Sequence, residues 1–142
     1  MTIAPTKIGA ALALAAAVLL TAAVPADGPS LDDCMHGLKS NMRQLAKAVP
    51  DEAKRQVAID ALREMQVWTL QAKTLTPPLA EERAKGEERD AFMLGYQVEM
   101  AKLLGKLADM EVDLLEGRTD EVRVALHKDL MTLRDDAHDK YQ

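Results

Sequence analysis

From Ser30 to the end of the chain, apolar side chains recur at spacings of three and four residues, the period of one helix face. Four such stripes follow one another, with almost none of the alternation that is typical of a half-buried strand. A chain with this pattern has to bury four helical faces against one another, which predicts an all-α fold. In chain order the stripes are Leu31, Met35, Leu38, Met42 and Leu45; Val57, Ala61, Met65, Trp68, Ala72 and Leu75; Phe92, Tyr96, Met100, Leu103, Leu107, Met110 and Leu114; and Leu126, Leu130, Leu133, Ala137 and Tyr141.

Helix start and stop signals separate the stripes. Ser30 and Asp33 resemble a capping box at the start of the first helix. Pro50 ends that helix and is well placed to begin the second. The second helix is expected to stop at Thr76-Pro77-Pro78, because proline cannot continue the hydrogen-bond ladder, and a polar connection follows. Gly117 is expected to end the third helix.

The connections set the arrangement of the helices. Thr119 or Asp120 is expected to cap the fourth helix, which then runs almost to the end of the chain. Short connections join neighbours that alternate in direction, so the sequence predicts an antiparallel up-down-up-down four-helix bundle. The start of the first helix and the end of the last then share one end of the bundle. That end would collect Met35, Met65, Trp68, Phe92, Tyr96, Arg134 and His138.

The first 26 residues have the features of an export signal. Lys7 is the only charge before Asp27, and residues 8–24 form an unbroken run of apolar and small side chains. The small residues of Val24-Pro25-Ala26 suit a signal peptidase. We therefore expect a signal peptide at 1–26 and a mature domain at 27–142 in the periplasm, with an uncleaved N-terminal anchor as the alternative.

Charge and cysteine content exclude several functions. The net charge is −5 and only 3% of the residues are aromatic, which leaves neither a basic groove nor a stacking platform for nucleic acid. Cys34 is the only cysteine, so no Cys-x-x-Cys-His motif is present to attach haem covalently. A free thiol in an oxidising compartment can, however, join two chains through a disulfide.

Met35 and His138 are the candidate metal ligands. A methionine on an apolar stripe is usually core filler, but this thioether faces an imidazole across the predicted bundle, and haem iron accepts such a pair. His36 lies about 100° around the helix from Met35 and is expected at the surface. His127 lies about 16 Å from His138 along the helix axis, too far to serve the same site, and is expected at the surface or at the boundary between surface and core.

The di-metal bundles offer a second comparison, since they use Glu-x-x-His on two helices and a carboxylate from each of the others. Asp33-x-x-His36 and Asp135-x-x-His138 approximate half of that pattern. The second and third helices supply no carboxylates at this level, which disfavours an internal di-iron site. A copper or zinc site that uses His36 and His138 stays open.

Four segments together resemble the soluble periplasmic cytochrome b562 family. They are Leu31-Asp-Asp-Cys-Met35, Thr76-Pro77-Pro78, Phe92-x-x-Gly95-Tyr96 and Arg134-x-x-x-His138-x-Lys140-Tyr141. The resemblance implies one non-covalent haem b with Met35 and His138 as axial ligands and Arg134 beside it. It further implies a haem pocket lined by Leu38, Met42, Met65, Pro77, Pro78, Phe92, Tyr96 and Leu130.

The function implied by the resemblance is single-electron transfer with redox partner proteins, not catalysis. Because both axial positions would be filled by protein, iron would have no open position for a substrate. We expect a monomer without membrane contact after signal cleavage, with Cys34 offering a route to a disulfide-linked dimer. The alternative function is a haem-free periplasmic bundle with a structural, stress or metal-binding role.

Overall fold

The computed structural model describes residues 28–82 and 85–141, except for the side chains of 137 and 138. The predicted signal peptide and its cleavage site lie outside the described residues and stay predictions. Every regular element in the described part is helical, which confirms the all-α fold class. None of these helices combines the length and the apolar character needed to cross a membrane.

Four long helical stretches correspond to the four predicted stripes. A 3₁₀ turn at Glu52–Lys54 precedes the second stretch, and a π-helical segment at Leu126–Leu130 interrupts the fourth. We call the fourth stretch, from Thr119 to Tyr141, the last helical run. The α-helices are α1 (Leu31–Ala48), α2 (Arg55–Ala72), α3 (Pro78–Glu82), α4 (Glu87–Leu115), α5 (Thr119–Ala125) and α6 (Met131–Tyr141).

Helix termini match some of the predicted signals and correct others. The Ser30 capping box is present, and Gly117 ends α4 with a φ of +81° that favours glycine. Pro50 does not begin α2 directly. Asp51 instead accepts a hydrogen bond from the Ala53 amide at 3.1 Å and caps the 3₁₀ turn.

Two further predictions about the connections were wrong. The segment after Thr76-Pro77-Pro78 is not only a polar connection, because the short helix α3 forms there. Neither Thr119 nor Asp120 caps the last helical run. The cap position belongs to Arg118, which gives no side-chain cap and forms an ion pair with Asp113 at 2.5 Å instead.

The core consists of two buried clusters. The larger cluster is aliphatic and is built from α1, α2, α4 and the last helical run, with Leu45, Leu62, Leu107 and Leu130 among its members. A smaller cluster, here called the Tyr96 cluster, contains Cys34, Ala72, Tyr96 and Met100. Close backbone packing joins α1 to α2, α2 to α4, and α4 to α5 and α6. Among the described residues, α1 and α6 show no backbone packing as close as that of these pairs.

The buried face of α2 agrees with the predicted stripe at Ala61, Met65 and Ala72. Val57 was expected inside but is 38% exposed. The buried face also takes in Ala58, Leu62 and Thr69, so α2 is rotated slightly about its axis from the orientation that the apolar spacing suggests. Thr69 is fully buried, and its hydroxyl donates to the Met65 carbonyl at 2.7 Å. This bond within α2 gives the buried hydroxyl a partner, and burial without one would cost free energy.

Candidate functional site

Met35 lies on the first turn and a half of α1, whose start is fixed by the capping box. The Ser30 amide donates to the Asp33 carboxylate at 2.9 Å, and the Asp33 amide donates to the Ser30 hydroxyl at 3.1 Å. The hydrogen bonds from Ser30 lower the pKa of Asp33, with His36 adding to that effect. This bonding sets where the helix begins and therefore which side chains of its first turns face the bundle.

The side chain of Met35 is half-buried and packs against both clusters. Trp68 from α2 also contacts both clusters. Met35 therefore occupies the boundary between the aliphatic core and the Tyr96 cluster. A soft thioether donor at such a boundary is shielded from water but is not enclosed by the core.

Tyr96 forms the centre of the smaller cluster. Its ring is 2% exposed, and its hydroxyl donates to the Ala72 carbonyl at the end of α2, at 2.8 Å. Burial raises the pKa of Tyr96 to about 12, and the nearby Cys34 adds to the shift. The phenol therefore stays neutral and keeps its bond to the backbone throughout the physiological pH range.

Tyr141 closes this end of the bundle from α6. Its ring meets Phe92 edge-on at 5.1 Å between centroids and Tyr96 at 5.6 Å. Gly95 permits this approach, because a Cβ at that position would lie 2.9 Å from the Tyr141 hydroxyl. The Phe92-x-x-Gly95-Tyr96 motif thus serves as the docking surface for the end of the last helical run.

Cys34 lies inside the Tyr96 cluster and is 0% exposed. Burial raises the pKa of the thiol, and the carboxylate of Asp33 raises it further. A buried, neutral thiol reacts slowly. The disulfide-linked dimer therefore stays a prediction that the position of Cys34 in the monomer disfavours.

The predicted pocket residues divide between core and surface. Leu38, Met65 and Leu130 are buried in the larger cluster, with Met42 packed against it. Pro77 is buried, and Phe92 is half-buried against Tyr141. Pro78 and Arg134 are exposed. Arg134 is paired with the adjacent Asp135, at 2.7 Å between the closest atoms.

The histidines differ in what the structure describes. His138 belongs to α6, but its side chain lies outside the described residues, so its pairing with Met35 stays a prediction. His36 is 83% exposed beside Asp32, which confirms the predicted surface position. His127 is exposed within the π-helical segment. Among the described residues, no three His, Cys, Asp or Glu side chains come together as a metal site.

Gly37 is the residue near the site that the sequence patterns did not identify. A Cβ at this position would lie 2.4 Å from Cε2 of the Trp68 ring. The absence of a side chain therefore lets the indole lie directly against the backbone of α1, next to Met35. An isolated glycine inside a helical stripe is the signal that could have revealed this contact.

The described part of the chain is a helical bundle in which Met35 lies at the boundary of two apolar clusters. Helical-bundle proteins commonly build their cofactor sites from side chains on facing helices. The model of the cytochrome b562 family matches residues 30–142, and the chain belongs to this family. Members of the family are haem-binding electron carriers, not enzymes in general, and are typically periplasmic. No curated protein matches the chain closely enough to count as a relative.

The residues around Met35 fit a haem. The side chains packed around Met35 in both clusters are apolar, which suits the face of a porphyrin. The thioether is a donor that haem iron accepts, and Arg134 offers an exposed guanidinium in α6 that suits a propionate carboxylate. The chemistry of these groups agrees with the family.

Proposed function

We propose that this chain is a periplasmic electron carrier that holds one non-covalent haem b between Met35 and His138. The observation that carries the proposal is the half-buried thioether of Met35 at the boundary of the two clusters. We further propose that the four long helical stretches alternate in direction, and that residues 1–26 are a signal peptide removed on export. A haem held by these two side chains would supply one-electron oxidation and reduction.

The protein's own side chains would prepare this site. The contact of Trp68 with Gly37 would hold α2 close to α1 on one side of the haem. The hydrogen bond from Tyr96 to Ala72 would hold α4 to the end of α2 on another side, so that the site would change little in shape between redox states. Leu38, Met42, Met65 and Leu130 exclude water from the inner side. Pro77 and Phe92 would line the outer side, with Pro78 at the rim. Arg134 would exchange its exposed bond to Asp135 for a carboxylate of the ligand.

The test is a titration of the purified chain with haem, followed by optical spectra. We expect one haem per chain, a low-spin spectrum and a weak near-infrared band of sulfur-to-iron charge transfer in the oxidised state. The haem should be extracted by acidified organic solvent, because no covalent attachment motif is present.

Four variants assign the ligands. Met35→Ala should abolish the near-infrared band, and His138→Ala should weaken haem retention more strongly. Met131→Ala removes a methionine that is 37% exposed in the last helical run and should change nothing. His36→Ala should also leave the spectra intact, because that side chain is exposed. A high-spin wild type, or a spectrum altered by His36→Ala but not by Met35→Ala, would refute the ligand pair.

Failure to bind haem would favour the alternative function, a haem-free bundle with a structural, stress or metal-binding role. Metal analysis of the purified chain, free of any affinity tag, then separates a copper or zinc site from a purely structural role.

A further inference from the structure

The outer side of α4 carries a second apolar stripe, which we call the outer stripe. It runs from Leu94 to Leu115 at alternating spacings of four and three residues, on the side of the helix opposite to Tyr96 and Met100. Its four large members are well exposed: Leu94 at 63%, Val98 at 44%, Val112 at 48% and Leu115 at 57%. A continuous apolar row of this length on a surface is a candidate interaction site.

The middle of the outer stripe consists only of small residues. Ala101, Gly105 and Ala108 occupy its three central positions. Among the described residues, no atom lies within 4 Å of the place where a Cβ on Gly105 would be. Glycine is therefore not required there by the packing of the monomer, although it costs about 1 kcal/mol of helix stability relative to alanine.

Side-chain size increases symmetrically from Gly105 toward both ends. Alanine comes next on each side, then Val98 and Val112, then Leu94 and Leu115. Two straight helices that cross approach most closely at one point and diverge away from it. Side chains that grow larger away from Gly105 would therefore fill the widening gap between two crossing helices, with Gly105 at the point of closest approach.

The gradient also identifies the occupant. Because it is the same in both directions from Gly105, a second α4 related by a two-fold axis through this point presents small residues to small ones and large residues to large ones. An unrelated partner would have to reproduce the same profile. We infer that the outer stripe is a self-association surface, through which two copies of this chain form a dimer by crossing their α4 helices at Gly105.

The charges that flank the outer stripe are compatible with this contact. On the side toward α2, Glu111 accepts hydrogen bonds from Arg63 at 2.7 Å and Gln66 at 2.6 Å. On the other side, Lys102 is paired with Glu99 at 3.0 Å. Glu111 and Lys102 therefore both bring their own counter-charges to the contact.

The size of the surface predicts a weak dimer. From Leu94 to Leu115 the helix rises roughly 32 Å, and a helix is about 10 Å wide, so one copy would bury roughly 300 Å². Two copies bury about 600 Å², less than the ~1,200 Å² of a stable interface. We therefore expect a dissociation constant weaker than about 1 µM.

Sedimentation equilibrium over a range of concentrations tests the dimer. The wild-type mass should rise with concentration from that of one chain toward twice that value. Gly105→Glu should weaken association at least ~100-fold, because two carboxylates would be buried at the crossing point. Ala46→Glu adds the same charge to an exposed position of α1 and should change nothing.

Disulfide trapping locates the crossing point. In a Cys34→Ser background, Gly105→Cys should form a symmetric disulfide dimer much faster than Ala46→Cys does. A wild type that stays monomeric up to about 1 mM would overturn the inference and leave the outer stripe to residues before Ser30 or to another protein. A dimer that Gly105→Glu does not weaken would overturn it as well.

The haem titration is independent of this result. Gly105 lies on the side of α4 away from Tyr96 and Met100, so Gly105→Glu should give the wild-type haem spectrum. Loss of the dimer and loss of haem binding are therefore separate outcomes.

Discussion

The two buried clusters differ in composition and in closure. The larger cluster is aliphatic, draws on four helical stretches and encloses Leu62 and Leu107 completely. The Tyr96 cluster has four buried members, includes a thiol and a phenol, and is bordered by partly exposed side chains such as Leu31 and Tyr141. This difference indicates that most of the packing stability comes from the larger cluster, whereas the Tyr96 end is less completely closed.

The largest effect is expected in the larger cluster. Leu62→Ala should lower the free energy of unfolding by about 2–5 kcal/mol, because it leaves a cavity among side chains that cannot fully collapse. Leu70→Ala on the same helix, at a half-exposed position, should cost less than about 1 kcal/mol. Urea unfolding at low protein concentration measures both. Equal losses would mean that the larger cluster is not the main source of stability.

Alkaline pH should affect the Tyr96 end selectively. Folding raises the pKa of Tyr96 from about 10 to about 12, so the neutral phenol is favoured in the folded state. Its contribution is fully present below pH 10 and is lost as the pH rises through 12, by roughly 2–3 kcal/mol in total.

Tyr96→Phe is the matched control for that pH dependence. It should cost about 1 kcal/mol at neutral pH, through the lost bond to Ala72, and should flatten the stability profile between pH 10 and 12. Stability curves from urea unfolding at each pH provide the comparison. A variant as alkali-sensitive as the wild type would assign the transition to another group.

Substitutions of two glycines are expected to change stability in opposite directions. Gly37→Ala should destabilise the fold by about 1–3 kcal/mol, because its Cβ would overlap the Trp68 ring. Gly105→Ala should stabilise it by about 0.5–1 kcal/mol, because the new methyl group meets open space on a helix. Thermal unfolding of the monomer distinguishes the two. The same sign for both variants would show that the contact of Trp68 with α1 is looser than described.

Much of the fold follows from the spacing of apolar residues. The stripes of α1 and α4 are long and regular, and their predicted inward positions, such as Leu45 and Leu107, are buried. Val57 shows where this reasoning ends. Apolar spacing places a face only to within about one position, and the exact rotation depends on contacts with the neighbouring helices.

The sequence predicted which residues lie at the candidate site but not how closely their helices pack. Met35, Tyr96 and Phe92 could be assigned to one end from the order of the helices alone. The contact of Trp68 with Gly37 could not, because it depends on how closely two backbones approach. The outer stripe was also visible in the sequence, but α4 has two apolar stripes, and only packing decides which of them is buried.

The π-helical segment at Leu126–Leu130 lies between α5 and α6 and changes the rotation of α6 about the helix axis relative to α5. A π turn takes up one residue more than an α turn, so α6 is rotated by about 100° from where an unbroken helix would place it. The Thr132 hydroxyl donates to the Lys128 carbonyl at 2.7 Å and satisfies one acceptor of the widened turn. Deleting one residue here would turn the whole of α6 and leave α5 in place. The number of residues in this segment therefore sets which face α6 turns toward the rest of the bundle.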